Sequence, residues 1–277
     1  MVSGKNEEAE QCLKYIARKN GKQIGDTPII SETLIKSVKS DTENATNYSI
    51  LDIFKHGPDL WKIALKESLI GAVVFLCYIG VHLNVQSLPG DVYVNHAIYG
   101  LVEIPADILA VIMMERKLLG RTRSVFVSLL ICAVCYVILG VFTNLSGNSC
   151  QEPDAWISTA TLIFAIISKM FVTSALCIIF TQAAELFPVE IRSIGWGLCS
   201  TSFDIGGCFA PFFLKLNDVY LGLPLFLMAS FCFGSGFLAL TLPETRGIPL
   251  LLTIKEAQEF YKNSRRRVCG GDNENEH

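Results

Sequence analysis

The sequence predicts an all-α membrane protein with six transmembrane helices. The prediction depends on its apolar composition, the length of its apolar runs and the placement of its basic residues. Hydrophobic residues make up 51% of the 277 residues, and the mean hydropathy is +0.43. These values are too apolar for an ordinary soluble domain. The apolar residues also cluster into runs long enough to cross a bilayer, which requires about 20 residues per helix.

Six runs account for most of the apolar residues and divide the chain into three regions. We expect a cytoplasmic linker at 1–61, a six-span unit at 62–243 and a cytoplasmic tail at 244–277. The predicted spans are Ile63–Leu83, Val94–Met114, Val125–Thr143, Ile157–Thr181, Ile194–Leu216 and Leu223–Leu242.

The linker is polar and contains one helical pattern. Small and apolar residues recur at helical spacing in Glu7–Lys19, which predicts an amphipathic helix that packs as a cytosolic linker. Thr27–Asn47 is rich in Ser, Thr, Asp and Asn, which favours a loose loop.

Basic residues mark one side of the predicted membrane unit. The link 115–123 contains four basic residues, and the tail contains several more. By contrast, Asn84–Tyr93, Asn144–Trp156 and Asn217–Leu221 contain no Lys or Arg. The positive-inside rule therefore places both termini in the cytoplasm.

Most of the ten cysteines fall within predicted spans, where cysteine behaves as a small apolar residue. Only Cys150 lies in a predicted extracellular link. We therefore predict no disulfide.

Ionisable residues inside apolar runs are the candidates for function, because charge is costly within a bilayer. They are Lys66, Glu67, Glu103, Asp107, Lys169, Asp204 and Lys215. Lys66 and Glu67 lie near a span end, where we expect them to snorkel to the membrane surface. Glu103 and Asp107 are four residues apart, hence on one helix face. Lys169 could pair with either of them, and a structural ion pair and a pathway-lining pair both remain open.

The fifth span contains a stripe of small and polar residues around Asp204. Its members recur at intervals of three or four residues, which places them on one side of the helix. They are Gly197, Thr201, Asp204, Cys208, Pro211 and Lys215. Small residues also let helices approach closely, but close approach requires no carboxylate. We therefore predict that Asp204 faces a cavity, with Gly206, Gly207 and Pro211 weakening the helix beyond it.

Motifs of catalysis are absent from the sequence. It contains no Gly-rich phosphate loop and no Cys or His pairs at metal-ligand spacing, and its four histidines are scattered. We therefore expect no enzyme activity, no metal, no cofactor and no nucleic-acid partner.

Several motifs together resemble the organic cation, anion and carnitine transporter family of the major facilitator superfamily. They are Gly100-Leu-Val-Glu-Ile-Pro105, Glu185-Leu-Phe-Pro188 with Arg192, and Leu242-Pro-Glu-Thr-Arg-Gly-Ile-Pro249. Glu115-Arg116 with Gly120-Arg121 is similar to the acidic-Arg-x-Gly-Arg loop of the superfamily, with two extra residues between its halves. Gly4–Glu10 and Arg18–Gly21 are similar to the central cytoplasmic segment of the family.

The resemblance covers about residues 4–250 and corresponds to the second half of a twelve-span protein. It implies the carboxyl-terminal six-helix bundle of a facilitator fold, in a multi-pass protein of the plasma membrane. A small organic cation would then be the substrate, and the lipid bilayer, a missing amino-terminal half or a second copy would be partners.

Family members that carry organic cations have an acidic residue in a Cys-Asp-Ile-Gly-Gly sequence, which Phe203-Asp204-Ile-Gly-Gly207 matches except at its first position. The resemblance thus implies that Asp204 is the counter-charge of a cation, with Glu103 as a second acidic contact and Tyr78 as an aromatic wall. Gly71, Val74 and Cys177 depart from the family pattern and leave the exact cargo open.

Charged residues near the cytoplasmic side resemble the gating network of the family. They are Glu115, Arg116, Arg121, Glu185, Arg192, Glu244 and Arg246. Transport would be facilitated diffusion by alternating access, without ATP. The alternatives are an organic anion or carnitine carrier, and a non-transporting half-length protein that associates with a full-length relative.

Overall fold

The computed structural model describes residues 6–20, 58–116, 119–148, 155–246, 251 and 254–269. The chain divides into two units, Met1–Tyr48 and Ser49–His277. The described part of the first unit is helix α1 (Asn6–Lys19), which agrees with the predicted amphipathic helix. The predicted loop Thr27–Asn47 lies outside the described residues.

The second unit consists of helices over its described residues, with no strand among them. Each predicted span coincides with one helix, although several helices extend beyond the predicted ends. The helices are α2 (Pro58–Leu83), α3 (Val92–Glu115), α4 (Gly120–Asn148), α5 (Ala155–Leu186), α6 (Arg192–Lys215) and α7 (Leu223–Ala239), followed by α8 (Ile254–Cys269).

Four of these helices are long and apolar enough to cross a membrane, and they are α2, α3, α4 and α5. Helix α6 has 24 residues, but its Ser, Thr, Gly and Asp residues make it less apolar. Helix α7 is apolar and has 17 residues, which is short for a complete span. The described residues therefore confirm four of the six predicted spans by length and composition.

Helices α2, α4 and α5 form the centre of the bundle. Helix α2 packs most extensively against α6 and also contacts α5 and α7, whereas α4 packs against α5 and α7. Helix α3 packs chiefly against α5, and much of its surface is exposed. Exposed apolar side chains on α3 include Leu101, Ile104 and Ile108.

Helix α6 continues unbroken through Gly206, Gly207 and Pro211, so the weakening predicted beyond Asp204 does not interrupt the helix. The two glycines serve close packing against α2 instead. A Cβ atom on Gly206 would collide with the backbone carbonyl of Ala72, and one on Gly207 would meet the ring of Phe75. The glycines therefore allow the two backbones to approach closely.

The link between α2 and α3 has defined local structure. A 3₁₀ turn at Asn84–Ser87 follows α2 directly, and Val85 within it is fully buried. Asp91 then caps α3, since its Oδ1 accepts hydrogen bonds from the backbone N–H groups of Tyr93 and Val94 at 2.8 and 3.2 Å. Asn95 Nδ2 donates to the carbonyl of Pro89 at 3.1 Å. These bonds fix the end of α2 against the start of α3.

Helix α8 lies against the end of the bundle. Ile254, Ala257 and Tyr261 are buried and form one face of the helix. The Tyr261 hydroxyl donates to the carbonyl of Leu186 at the end of α5, and the Ile254 N–H donates to Glu190 Oε2 at 3.1 Å. Burial raises the pKa of Tyr261.

Eight cysteines among the described residues are free thiols. The sulfur atoms of Cys77 of α2 and Cys232 of α7 lie 3.5 Å apart. Cys150 lies outside the described residues.

Candidate functional site

Helices α2, α3 and α5 bring one residue each to a polar cluster within the bundle. Tyr78, Glu103 and Lys169 form this cluster, which we call the Lys169 cluster. The Tyr78 hydroxyl and Lys169 Nζ both donate to Glu103 Oε1, each at 2.7 Å. Lys169 Nζ also lies 3.7 Å from the centroid of the Tyr78 ring.

Burial explains why Lys169 has so many contacts. Its side chain is fully buried, whereas 35% of the Glu103 side chain is exposed. A buried ammonium group is strongly disfavoured unless a counter-charge and hydrogen bonds compensate for the lost hydration. Glu103 supplies that counter-charge, and the face of the Tyr78 ring supplies a cation–π contact. Lys169 therefore pairs with Glu103 rather than with Asp107, whose side chain is exposed.

Sequence reasoning placed Tyr78 and Glu103 at the site, and the structure brings them together. It named Lys169 only as a possible partner. The missing information was which helices are neighbours, since α3 and α5 are separated along the chain by α4.

Asp204 lies on the exposed side of α6. The buried face of α6 contains Cys199, Phe203 and Gly206, and packs against α2. Asp204 is on the opposite face and is exposed, as are four other members of the predicted stripe. These are Thr201, Cys208, Pro211 and Lys215. No ion pair joins Asp204 to another described residue.

The expected snorkelling of Glu67 is wrong. Its side chain is fully buried, and neither carboxylate oxygen has a hydrogen-bond partner among the described residues. The helix places Glu67 on the inner side of α2, while the preceding Lys66 is half-buried. Adjacent positions on a helix point about 100° apart, so the two residues differ in burial although they are neighbours in sequence.

A charge network joins the ends of several helices where α3 ends and α4 begins. Arg121 forms an ion pair with Glu185, and its Nη1 donates to Thr245 Oγ1 at 3.2 Å. The Glu244 carboxylate accepts the backbone N–H groups of Arg121 and Thr122 at 2.8 and 3.2 Å. A carboxylate in this position caps the first turn of α4 and complements the helix dipole.

The other predicted gating residues lie at the same end of the bundle. Arg246 Nη2 donates to the carbonyl of Glu115 at 2.5 Å, and the Arg246 N–H donates to Glu244 Oε1 at 3.2 Å. Arg192 Nε donates to the carbonyl of Phe187 at 3.3 Å. The Arg116 side chain is exposed.

A cavity of ≈ 450 Å³ opens beside this network. Its lining includes Glu115, Arg121, Thr181 and Arg246, together with apolar side chains of α3. The network is therefore accessible from this end of the bundle.

A bundle of long apolar helices with a buried ion pair and a charge network at one end is typical of a membrane transporter. A family model described as sugar (and other) transporter matches residues 63–256. The chain belongs to this family, and it is therefore an integral, multi-pass membrane protein.

Curated relatives support the predicted resemblance. The chain is 32% identical to solute carrier family 22 member 16 of Xenopus laevis, covering 94% of this chain and 44% of the relative. It is 30% identical to solute carrier family 22 member 15-like of Xenopus laevis, with coverage of 92% and 49%. It is also 30% identical to organic cation transporter 1 of Caenorhabditis elegans, with coverage of 94% and 42%. The resemblance to the organic cation, anion and carnitine transporters is confirmed, and the chain spans about half the length of these relatives.

Proposed function

We propose that this chain forms the carboxyl-terminal six-helix half of a facilitator-type carrier for small organic cations. The carrier would work by alternating access at the plasma membrane. In the proposed orientation, the end with the charge network faces the cytoplasm, because the basic link 115–123 lies there.

The exposed carboxylate of Asp204 carries the proposal. Among the acidic residues of the predicted spans, Glu103 is neutralised by Lys169 and Glu67 is enclosed, whereas Asp107 and Asp204 are exposed. Asp107 lies among exposed apolar side chains of α3, whereas Asp204 belongs to the exposed stripe of small and polar residues on α6. A carboxylate at such a depth requires water, a partner or a ligand. A cationic substrate would meet that requirement by Coulomb attraction, which is stronger in a medium of low dielectric constant.

The Lys169 cluster would contribute to the same pathway from α2 and α3. Both donors use Glu103 Oε1, which leaves Oε2 for a bound ammonium group. One face of the Tyr78 ring is covered by Lys169, so a substrate would contact the ring edge or its other face. Glu103 would thus act as a weaker acidic contact than Asp204, since its charge is already compensated.

The charge network would close the cytoplasmic side of the carrier. Arg121, Glu185 and Glu244 connect α4, α5 and the segment after α7, so separation of these helices would break several polar contacts together. We propose that this network stabilises one of the two states of the transport cycle. The driving force would be the substrate gradient and the membrane potential.

Uptake of a fluorescent tetraalkylammonium dye into proteoliposomes tests this function. We expect dye uptake that increases with an inside-negative potential and is lost in Asp204→Asn. Asp107→Asn is the matched control, because Asp107 is also an exposed acidic residue of a predicted span, and we expect it to retain most uptake. Thermal unfolding of each variant shows whether loss of uptake reflects loss of fold. Unchanged uptake in folded Asp204→Asn would exclude Asp204 as the counter-charge.

An organic anion or carnitine carrier is the alternative that Lys169 favours. A zwitterion would place its ammonium group at Asp204, and its carboxylate would have to displace Glu103 from Lys169, because the lysine side chain is fully buried in that ion pair. Uptake of radiolabelled carnitine or of an aromatic carboxylate in the same vesicles distinguishes this case. Carnitine uptake that requires both Asp204 and Lys169 would replace the cation-carrier proposal.

Association with a full-length relative is a second alternative, favoured by the exposed apolar side chains on α3 and α6. The chain alone would then transport no dye, but it would lower the dye uptake that a co-expressed full-length relative mediates. That pair of results would exclude autonomous transport.

A further inference from the structure

Two histidine rings lie next to each other where α2 ends and α3 begins. The ring centroids of His82 and His96 are 5.3 Å apart, and the ring planes are inclined by 55°. Both side chains are half-buried. His82 Nδ1 is buried without a hydrogen-bond partner among the described residues. A buried imidazole nitrogen without a partner is unfavourable, and a metal ion would satisfy it.

The separation of the two rings fits a shared metal ion. With metal–nitrogen bonds of about 2.0–2.1 Å, the centre of an imidazole ring lies about 3.2 Å from the metal. Two rings at a tetrahedral angle around one ion then have centroids about 5.2 Å apart. This value agrees with the observed 5.3 Å. We propose that His82 and His96 form a binding site for a borderline-soft divalent cation such as Zn²⁺.

The backbone holds the two histidines in place without the metal. His82 lies in the last turn of α2, and His96 lies in the first turns of α3. The link between them is fixed by the 3₁₀ turn Asn84–Ser87, the Asp91 cap and the bond from Asn95 to Pro89. The metal would therefore order few side chains or loops when it binds. A pre-formed site binds more tightly than a flexible one, because it loses less conformational entropy on binding.

The two nearest charges have opposite signs. Lys169 and Glu103 both act electrostatically on His82, and the effect of Lys169 is the larger. These two residues form an ion pair, so a cation at the histidines would lie near a paired ammonium group and not an isolated one. Among the described residues, no group of three or more His, Cys, Asp or Glu side chains could hold a metal ion. The site therefore supplies two protein ligands, and water completes the coordination shell.

A bound metal would join the helices that carry the Lys169 cluster. Tyr78 lies one turn before His82 on α2, and Glu103 lies two turns after His96 on α3. A metal on the two histidines would restrain these helices at one end. Zn²⁺ would thus stabilise the folded protein, independently of any transport activity.

Metal-dependent thermal stability tests the site. The 277-residue chain is purified with a tag that contains no histidine. Its thermal unfolding is followed over a range of ZnCl₂ concentrations. We expect Zn²⁺ to raise the unfolding temperature with a saturable dependence. His82→Ala and His96→Ala should each weaken the apparent Zn²⁺ affinity at least about tenfold, the loss that even an outer-shell change produces. His56→Ala is the control and should leave the Zn²⁺ response unchanged.

A spectroscopic measurement separates a shared site from two separate ones. Cu²⁺ is expected to bind more tightly than Zn²⁺ to the same nitrogen ligands. Electron paramagnetic resonance of the copper-loaded wild type should show coupling to two imidazole nitrogens, and each single variant should show at most one. The proposal is overturned if the Zn²⁺ response persists in the double alanine variant, or if the copper signal of folded single variants equals that of the wild type.

Discussion

Glu103 Oε1 lies 2.7 Å from Lys169 Nζ, and the two partners of this ion pair differ sharply in exposure. The lysine side chain is fully buried, whereas 35% of the glutamate side chain is exposed. Removal of one partner leaves the other charge uncompensated, and the cost depends on how well water can reach that charge. The pair should therefore respond unequally to neutralisation of its two members.

We expect Glu103→Gln to destabilise the protein more than Lys169→Gln. The first change leaves a buried ammonium group without a counter-charge, at a cost of about 3 kcal/mol. The second leaves a partly hydrated carboxylate that still accepts a hydrogen bond from Tyr78, at a cost of about 1 kcal/mol. Thermal unfolding in one detergent measures both.

The double variant Glu103→Gln/Lys169→Gln is the control for this asymmetry. It contains neither charge, so its unfolding temperature should exceed that of Glu103→Gln alone. Additive losses in the double variant would show that the two residues are not energetically coupled.

Tyr78 contributes to the cluster through both its hydroxyl and its ring, and two substitutions separate these contributions. Tyr78→Phe removes the hydrogen bond to Glu103 but keeps the ring beside Lys169, and should cost about 1.5 kcal/mol. Tyr78→Leu removes the ring face as well and should cost about 2 kcal/mol more. Equal unfolding temperatures for the two variants would contradict a stabilising contact between Lys169 and the ring.

Glu244 and Gly120 together determine how α4 begins. Glu244→Ala removes the acceptor for two N–H groups of the first turn and should cost about 1 kcal/mol. Gly120 has a φ of +63°, and a Cβ atom there would meet the Glu244 carboxylate. Gly120→Ala should therefore cost at least about 1 kcal/mol through backbone strain alone.

Gly100→Ala is the matched control for Gly120→Ala. Gly100 lies within α3, and a Cβ atom there would meet nothing within 4 Å. Alanine should stabilise the helix at this position by about 0.5–1 kcal/mol. A loss of stability at Gly100 similar to that at Gly120 would exclude the capping explanation.

Alkaline pH should detach α8 from the bundle. Burial raises the pKa of Tyr261 above its unfolded value of about 10. The stabilisation linked to its protonated hydroxyl is therefore fully present below about pH 10 and is lost as the pH rises through the folded pKa. Limited proteolysis with an alkaline-active protease should release α8 progressively above about pH 10.

Tyr261→Phe tests the origin of that pH dependence. Phenylalanine cannot bond to the Leu186 carbonyl, so α8 should be cleaved faster at neutral pH and show a weaker increase at high pH. Tyr220 is exposed, and Tyr220→Phe should preserve the wild-type profile. If the cleavage rate of α8 depends on pH in Tyr261→Phe as it does in the wild type, groups other than Tyr261 cause the release of α8 at alkaline pH.

The positions of the apolar helices could be predicted because a membrane span depends on local composition. Each of the six predicted runs overlaps a helix, and the errors are at the ends. Val125 was predicted to begin a span, but α4 begins at Gly120, because Glu244 from a distant segment caps that turn. A cap that comes from a distant segment leaves no local signal in the sequence of the helix that it starts.

The partners of polar residues could be predicted only in part, because they depend on which helices are neighbours. Spacing placed Glu103 and Asp107 on one face of α3, but it could not show which of them would meet Lys169. Glu67 shows the same limit. Its position near a span end favours snorkelling, yet the contacts of α2 with other helices enclose it completely.

Small residues in α6 were the most ambiguous signal, because a stripe that faces a cavity and a surface that packs closely have similar compositions. The structure assigns them to different faces: Thr201 and Asp204 are exposed, whereas Gly206 and Gly207 are buried. The Asp-Ile-Gly-Gly sequence thus combines a carboxylate on one side of the helix with a packing surface on the other.

Gly206→Ala and Gly197→Ala in the same helix test that division. A Cβ atom at position 206 would collide with the backbone carbonyl of Ala72, which cannot move aside as a side chain can, whereas one at position 197 would meet nothing within 4 Å. We expect Gly206→Ala to separate α2 from α6 and to cost about 1–3 kcal/mol, while Gly197→Ala should be neutral or slightly stabilising. Thermal unfolding measures the difference in stability between the two variants. Dye uptake shows whether the separation of α2 from α6 also disturbs the proposed substrate site at Asp204. If both variants unfold at the wild-type temperature, close packing against α2 does not explain the buried glycines of α6.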